Sequence, residues 1–301
     1  MNFTSSHMQR LDSIREAIGN DQIDKLLPTL KATNKQIIFV CYNQMGNPNV
    51  RDGSAFYTEK EMIENNIKII VYMGTTEDKQ YVAVETEHAP VGSISMNLTE
   101  CMKLEHTMCD IIGFGSALIK FNQRFSYCPR CGNKMKYGGF GTHMDCGSCK
   151  NMVFPRTDPC IIVVVRHPTE KKCLFVRKSI MPEKRYTCVA GFLEVGESAE
   201  ECVTREVWEE VHLHVKDVKY VTSSGYPLPG ANQIMLGYEA QAIDSEIDII
   251  PGNELCEAFW VNEEEVKQAI NESKKPKPEG RYTVPPTYIA HQLFQYWVNH
   301  M

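Results

Sequence analysis

The chain has 301 residues, a formal net charge of −6 and 43% hydrophobic residues. That length allows more than one domain, and the acidic balance argues against general affinity for nucleic acid. It contains no run of eighteen apolar residues, so no membrane span is predicted. Helical spacing of Leu11, Ile14 and Ile18 opens the chain. Strand-like runs follow at 36–41, 67–73 and 81–85. Helices are predicted over 100–112 and 116–125, the second leading directly to Tyr127.

Two C-x2-C pairs come next, Cys128 with Cys131 and Cys146 with Cys149, separated by fourteen residues. Thiolates at this spacing supply four sulfur ligands for tetrahedral Zn2+; a closed four-thiolate set leaves no open position, so the site reads as structural. Free buried thiols or a disulfide pair are the other readings. Gly132 and Gly147 are placed to let the chain turn under the sulfurs. The ribbon ends near Phe154-Pro155. The apolar run 160–165 then predicts a buried strand, with 172–177 as its hairpin partner. A loop is predicted at 274–280 and an amphipathic helix at 286–298.

The remaining eight of the twelve cysteines are scattered, several within apolar runs, which suits reduced thiols. No apolar signal core opens the chain, Asp12 and Glu16 argue against a transit peptide, and the last residues do not form a peroxisomal tripeptide. A cytoplasmic location is therefore expected.

The segment 191–213 crowds glutamates after a glycine-bracketed turn. Glu206 and Glu210 stand at i and i+4 on one helix face, with Glu209 beside them. Like charges at that spacing repel, whereas a hard divalent cation, which takes carboxylate and phosphate oxygens, reverses the sign. A solvated acidic face is the alternative for the charges alone. Ser198 and Glu201 form a capping box, so the helix starts near Ala199. Ala199, Val203, Val207 and Val211 make its buried stripe. Arg205 can reach back to Glu197 or to a neighbouring carboxylate.

Gly191, five residues, Glu197, seven residues, Arg205-Glu206-Val207, one residue, Glu209-Glu210, one residue, His212-Leu213: this spacing resembles the Nudix box, G-x5-E-x7-R-E-U-x-E-E-x-G-U with U aliphatic. Only the last glycine departs, replaced by His212, a residue type that tolerates positive φ at a cost of roughly 1 kcal/mol. Further likeness lies in Phe154-Pro155-Arg156-Thr157-Asp158-Pro159, in Ala190-Gly191-Phe192, in Glu254-Leu255-Cys256-Glu257-Ala258, and in the last helix from Ile289-Ala290 to Trp297. Together with the ribbon, these motifs resemble the NADH pyrophosphatase subgroup of Nudix hydrolases.

The resemblance implies an α+β chain in three parts. These are an N-terminal Nudix-like α/β domain (1–125), a zinc ribbon (126–155) and a catalytic Nudix α/β/α sandwich with a mixed sheet (156–301). It implies hydrolysis of the NADH or NAD+ pyrophosphate to AMP and nicotinamide mononucleotide, with NAD-capped RNA as a further substrate, and a homodimer. It implies Mg2+ or Mn2+ held by Glu206, Glu210 and Glu254, with Glu209 adjoining and Arg205 bracing the catalytic segment. The backbone of Ala190 or Gly191 lies near the metals, and Phe192 and Tyr226 stack on the substrate rings.

One motif departs from the subgroup's S-Q-P-W-P-F-P-x-S. Here the stretch runs from Ser223-Ser224-Gly225-Tyr226 through Pro227-Leu228-Pro229 to Gly230-Ala231, so the glutamine and final serine are replaced. Loss of such hydrogen-bonding groups lowers discrimination. ADP-ribose, a dinucleoside polyphosphate or coenzyme A are therefore alternative substrates. A non-catalytic zinc-ribbon protein that binds nucleic acid is the reading from a different class.

Overall fold

The computed structural model describes residues 23–300, apart from 102, 103, 105, 229, 230 and 250–253. The helical spacing at Leu11, Ile14 and Ile18 lies outside the described residues. Two compact units divide at Asp158, except that the stretch 226–232, between the paired parts of β14 and β15, groups with the N-terminal unit.

In the N-terminal unit, the three strand-like runs join a fourth, short strand at Phe56–Tyr57 in one sheet. Its elements are helix Ile23–Lys31, β1 (Gln36–Tyr42), β2 (Asn49–Val50), β3 (Phe56–Tyr57), helix Glu59–Glu64, β4 (Ile67–Thr75), β5 (Lys79–Thr86), β6 (Ile94–Ser95), and helices Leu98–Cys101 and His106–Arg124. The sheet order is β3-β1-β5-β4, with β1 and β5 parallel. Successive side chains alternate between faces. Val40, Tyr42, Val71 and Ala83 therefore pack with Ile112 and Ile119 of the long helix, while Phe39, Cys41, Tyr72 and Val82 pack with Leu26 and Leu30.

The helices predicted at 100–112 and 116–125 need correcting. A short turn of helix, Leu98–Cys101, is followed by one continuous helix across both glycines, Gly113 and Gly115. Glycine lowers helix propensity, but here packing requires it. A Cβ on Gly115 would lie 2.2 Å from the Tyr42 hydroxyl oxygen, and that hydroxyl donates to the Ile112 carbonyl at 2.8 Å.

The ribbon strands β7 (Lys136–Gly138), β8 (His143–Asp145) and β9 (Met152–Val153) form a small antiparallel sheet. Both knuckles repeat one hydrogen-bond pattern. Cys128 N–H donates to Asn133 O and Gly132 N–H to Cys128 O; Cys146 N–H donates to Asn151 O and Lys150 N–H to Cys146 O. The left-handed turn residue is Gly132 in the first (φ 72°) but Lys150 in the second (φ 60°), not the expected Gly147.

The C-terminal unit comprises β10 (Asp158–Arg166), β11 (Lys172–Lys178), β12 (Arg185–Tyr186), β13 (Val189–Phe192), helix Ala199–Val211, β14 (Val215–Leu228), β15 (Ala231–Ala242), β16 (Leu255–Asn262), helix Glu263–Glu272, β17 (Tyr282–Thr283) and helix Ile289–Asn299. The sheet runs β14-β15-β10-β11-β16, and β13 pairs with β10. It is mixed: β10 is parallel to β15 and antiparallel to β11 and β13. The apolar run in β10 is buried on both faces. Ile161, Val163 and Val165 pack under helix Ala199–Val211; Ile162 and Val164 pack with Val266, Leu293 and Trp297 of the other helices. Helices on both faces of a mixed sheet give the expected α/β/α sandwich.

Candidate active site

The helix Ala199–Val211 starts where its cap dictates. Ser198 is extended (φ −78°, ψ 160°), Glu201 N–H donates to its hydroxyl oxygen, and Ser198 N–H donates to the Glu201 carboxylate at 2.8 Å. This reciprocal pairing satisfies donors that a helix start otherwise leaves free. With the start fixed, Val203, Val207 and Val211 fall on the sheet side and are fully buried. Glu206, Glu209 and Glu210 follow on the adjoining face. Their side chains are 13%, 54% and 7% exposed, so the three differ in character.

Arg205 organises the segment. Nε and Nη2 donate to the two oxygens of Glu197, both at 2.8 Å, Nη1 donates to Glu206 at 2.7 Å and Glu209 at 2.9 Å, and Nη2 also reaches the Phe192 carbonyl at 2.9 Å. The Arg205 guanidinium holds the Glu197 carboxyl down at about 2. The bidentate fork gives this brace its geometry.

Glu206 is aimed by what lies opposite. A Cβ on Gly191 would meet the Glu206 carboxylate at 1.9–2.2 Å, so only glycine lets the carboxylate rest on β13. Gly191 and Ala190 are held there by pairing with Ile161 and Ile162 of β10. Glu210 is the buried member. Burial pushes its carboxyl up to about 7, and Glu206, Glu254 and Glu209 add repulsion while Lys178 opposes it. Its Oε2 has no hydrogen-bond partner. A buried carboxylate oxygen without a partner, among other carboxylates, is costly for the protein alone and fits a hard divalent cation.

The helix ends at His212 in the left-handed conformation (φ 54°, ψ 31°), where its N–H caps the Trp208 carbonyl. The missing glycine is thus replaced without loss of the turn.

These residues line a cavity of about 800 Å³ with Ala190, Phe192, Lys178, Trp208 and Glu254. The sequence-predicted residues Arg205, Glu206, Glu209, Glu210, Glu254, Ala190 and Phe192 all meet there. Phe192 is 52% exposed, presenting its ring to solvent. Tyr226 lies in β14, but its side chain is outside the described residues. Lys178 and Trp208 were not singled out by sequence, and neither belongs to a spaced pattern. Lys178 forms an ion pair with Glu254 and lies 3.8 Å from Glu210. Burial pulls its pKa down, but Glu254, Glu210 and Glu206 outweigh this and raise it.

In the ribbon, the sulfurs of Cys128, Cys131, Cys146 and Cys149 all lie within 4.8 Å of one another. The pairs Cys128–Cys149 and Cys131–Cys146 are 3.7 and 3.5 Å apart. Tetrahedral Zn2+ with Zn–S near 2.3 Å requires sulfurs roughly 3.8 Å apart, so the set fits that ion. Hydrogen bonding from Asn133, first through its backbone N–H, lowers the Cys131 thiol, whereas the neighbouring thiols Cys131, Cys146 and Cys128 push Cys149 up, so the four titrate as one set.

Residues 156–280 match the family description NUDIX domain. NAD-capped RNA hydrolase NUDT12 of Homo sapiens is 34% identical over 205 residues, covering 65% of this chain and 43% of that protein. NAD-capped RNA hydrolase NudC of Vibrio parahaemolyticus is 31% identical over 172 residues, covering 57% and 64%. NAD(P)H pyrophosphatase NUDT13, mitochondrial, of Homo sapiens is 31% identical over 200 residues, covering 62% and 54%. The chain spans less than two thirds of the length of each. The glutamate-arginine segment braced on its β13 glycine lies within residues 156–280, the stretch of this chain that is similar to the NUDIX domain.

Proposed function

We propose that the chain hydrolyses the pyrophosphate bond of NAD(H), giving AMP and nicotinamide mononucleotide, and cleaves the same bond in NAD-capped RNA. The observation that carries this reading is the unpartnered, buried carboxylate of Glu210, set beside Glu206 and Glu254 in a cavity with an exposed aromatic ring. The names of the relatives, NAD-capped RNA hydrolase and NAD(P)H pyrophosphatase, support the substrate class.

Glu206, Glu210 and Glu254 hold Mg2+ or Mn2+, which when bound neutralises phosphate charge and acidifies a water. Arg205 keeps Glu206 and Glu209 oriented, and the backbone of Ala190 and Gly191 shapes the floor. Phe192 and Tyr226 stack on the substrate rings, a contact worth roughly 1–3 kcal/mol per base. Cys128, Cys131, Cys146 and Cys149 hold structural Zn2+. We read residues 1–125, 126–155 and 156–301 as N-terminal domain, ribbon and catalytic domain.

We further propose a cytoplasmic homodimer. Among the described residues no helix is long and apolar enough to cross a membrane. Two-fold pairing is the commonest assembly of soluble chains. Light scattering at micromolar concentration is expected to give twice the chain mass of 34.3 kDa, and a single-chain mass would refute the dimer.

A second reading is favoured by the stretch from Ser223 to Ala231. Ser224, where the subgroup has glutamine, is 6% exposed and its hydroxyl donates to the Gly225 carbonyl at 3.2 Å. A site without those polar contacts accepts ADP-ribose, dinucleoside polyphosphates or coenzyme A as well. Chromatography of products from NADH, NAD+, NAD-capped RNA, ADP-ribose and coenzyme A, each with Mg2+ or Mn2+, tests both. The expected outcome is cleavage of several adenine-containing diphosphates, with only a modest preference between NADH and NAD+. No release of AMP from either dinucleotide would refute the NAD(H) activity.

A further inference from the structure

Lys178 ends β11 at a point where the strand is irregular. Up to Arg177 the register with β16 is regular, with Arg177 opposite Glu257; it then shifts, and Lys178 stands opposite Leu255. Such a bulge re-aims a side chain, and bulges recur beside active sites. Arg177 pairs with Glu257, so that carboxylate is already satisfied. Lys178 pairs instead with Glu254, one residue before β16. Ser179 N–H donates to the Glu254 carbonyl at 3.3 Å, which holds that residue against the strand end. The Lys178 side chain is 29% exposed and its Nζ also lies 3.8 Å from Glu210 of the helix.

An ammonium group is therefore built in among the carboxylates assigned above to a divalent cation. It supplies one charge where those carboxylates call for two, and it leaves Glu210 Oε2 without a hydrogen bond. Glu254 and Glu210 cannot give their oxygens fully to both cations. We propose that Lys178 is a tethered counter-ion that competes with the divalent cation for Glu254 and Glu210, and so sets the metal concentration at which the site fills. This rests on the reading that Glu206, Glu210 and Glu254 hold a divalent cation.

The test is Mn2+ binding to the zinc-loaded protein without substrate, followed by the loss of the free-ion paramagnetic resonance signal. An opposite charge within about 4–6 Å lowers the proton affinity of a carboxylate by about one to three powers of ten, and the same repulsion acts on a metal cation at that carboxylate. Lys178→Met is expected to tighten Mn2+ binding about tenfold. Lys178→Arg, which keeps the charge, is expected to stay within about threefold of wild type. Lys184→Met is the control for loss of a charge elsewhere, since its Nζ donates to the Glu279 carbonyl. It should leave binding within about twofold. Melting curves show that each variant is folded.

Unchanged or weaker binding in Lys178→Met, or equal tightening in Lys184→Met, overturns the counter-ion. The underlying metal reading fails separately: Mn2+ binding unaffected by Glu210→Gln would remove it whatever Lys178 does.

Discussion

Glu210→Gln is expected to remove nearly all turnover and to make the metal-free protein more stable. The two effects have one cause. Glu210 is 5% exposed, its Oε2 has no partner, and burial raises its carboxyl from the ordinary 4.5 to about 7. A carboxyl whose folded value is raised binds more protons folded than unfolded between those values, so stability falls as pH rises through them. Near pH 4.5 and below the penalty is absent; above about 7 it is complete. Glutamine has no charge to bury. The variant should therefore gain on the order of 1–3 kcal/mol at pH 8 in buffer without Mg2+ or Mn2+. That gain appears as a melting point several degrees higher, and it vanishes near pH 4.5. Saturating Mg2+ should reverse the order, because binding to the folded state stabilises only the chain that retains the site. Turnover should drop by about two to three powers of ten. A variant within tenfold of wild-type rate, or one that melts no higher at pH 8, would refute the assignment.

Cys131→Ser should be as damaging to folding as Glu210→Gln is to turnover. Cys131 is exposed, so replacing its sulfur by oxygen costs little packing. Any large loss must come from the metal. Structural zinc contributes about 10–16 kcal/mol of apparent binding free energy, coupled to folding. Without it, the small core of Phe121, Cys128, Met135, Met144 and Cys146 has little else to hold it. Wild type should contain one zinc per chain by elemental analysis. The variant should contain well under one, express poorly, and keep most of its rate per folded molecule. Wild-type protein purified without chelators and free of zinc would sink this prediction.

Much of the site was legible in the sequence because its determinants are local. The start of helix Ala199–Val211 depends on residues three apart, Ser198 and Glu201, and the phase of every glutamate follows from it. The brace from Arg205 to Glu197 spans eight residues. The four cysteines declare themselves by spacing. What was not legible depends on register and packing. Lys178 enters the cavity through a bulge against β16, about 80 residues later in the chain, and no pattern around it foretells that. The sequence suggests two helices, 100–112 and 116–125, whereas one helix crosses the junction and the Tyr42 ring needs the gap that Gly115 leaves. Lys150 adopts the left-handed turn although a glycine stands three residues before it, because the hydrogen-bond frame of the knuckle fixes which position must turn.

The pairing of β10 has a consequence in time. Its antiparallel partner β13 follows within about thirty residues, but its pairing with the parallel partner starts at Gln233, about seventy-five residues after Asp158. The cavity also draws on Gln233, Met235 and Glu254. On the ribosome, the cysteine knuckles can close on zinc while the sandwich is still an open row of apolar strand edge. Parallel, non-local pairing forms late and slowly. A nascent chain stalled before Gln233 therefore carries its glutamates without a pocket and exposes the β10 edge, an aggregation hazard of the kind that chaperones intercept.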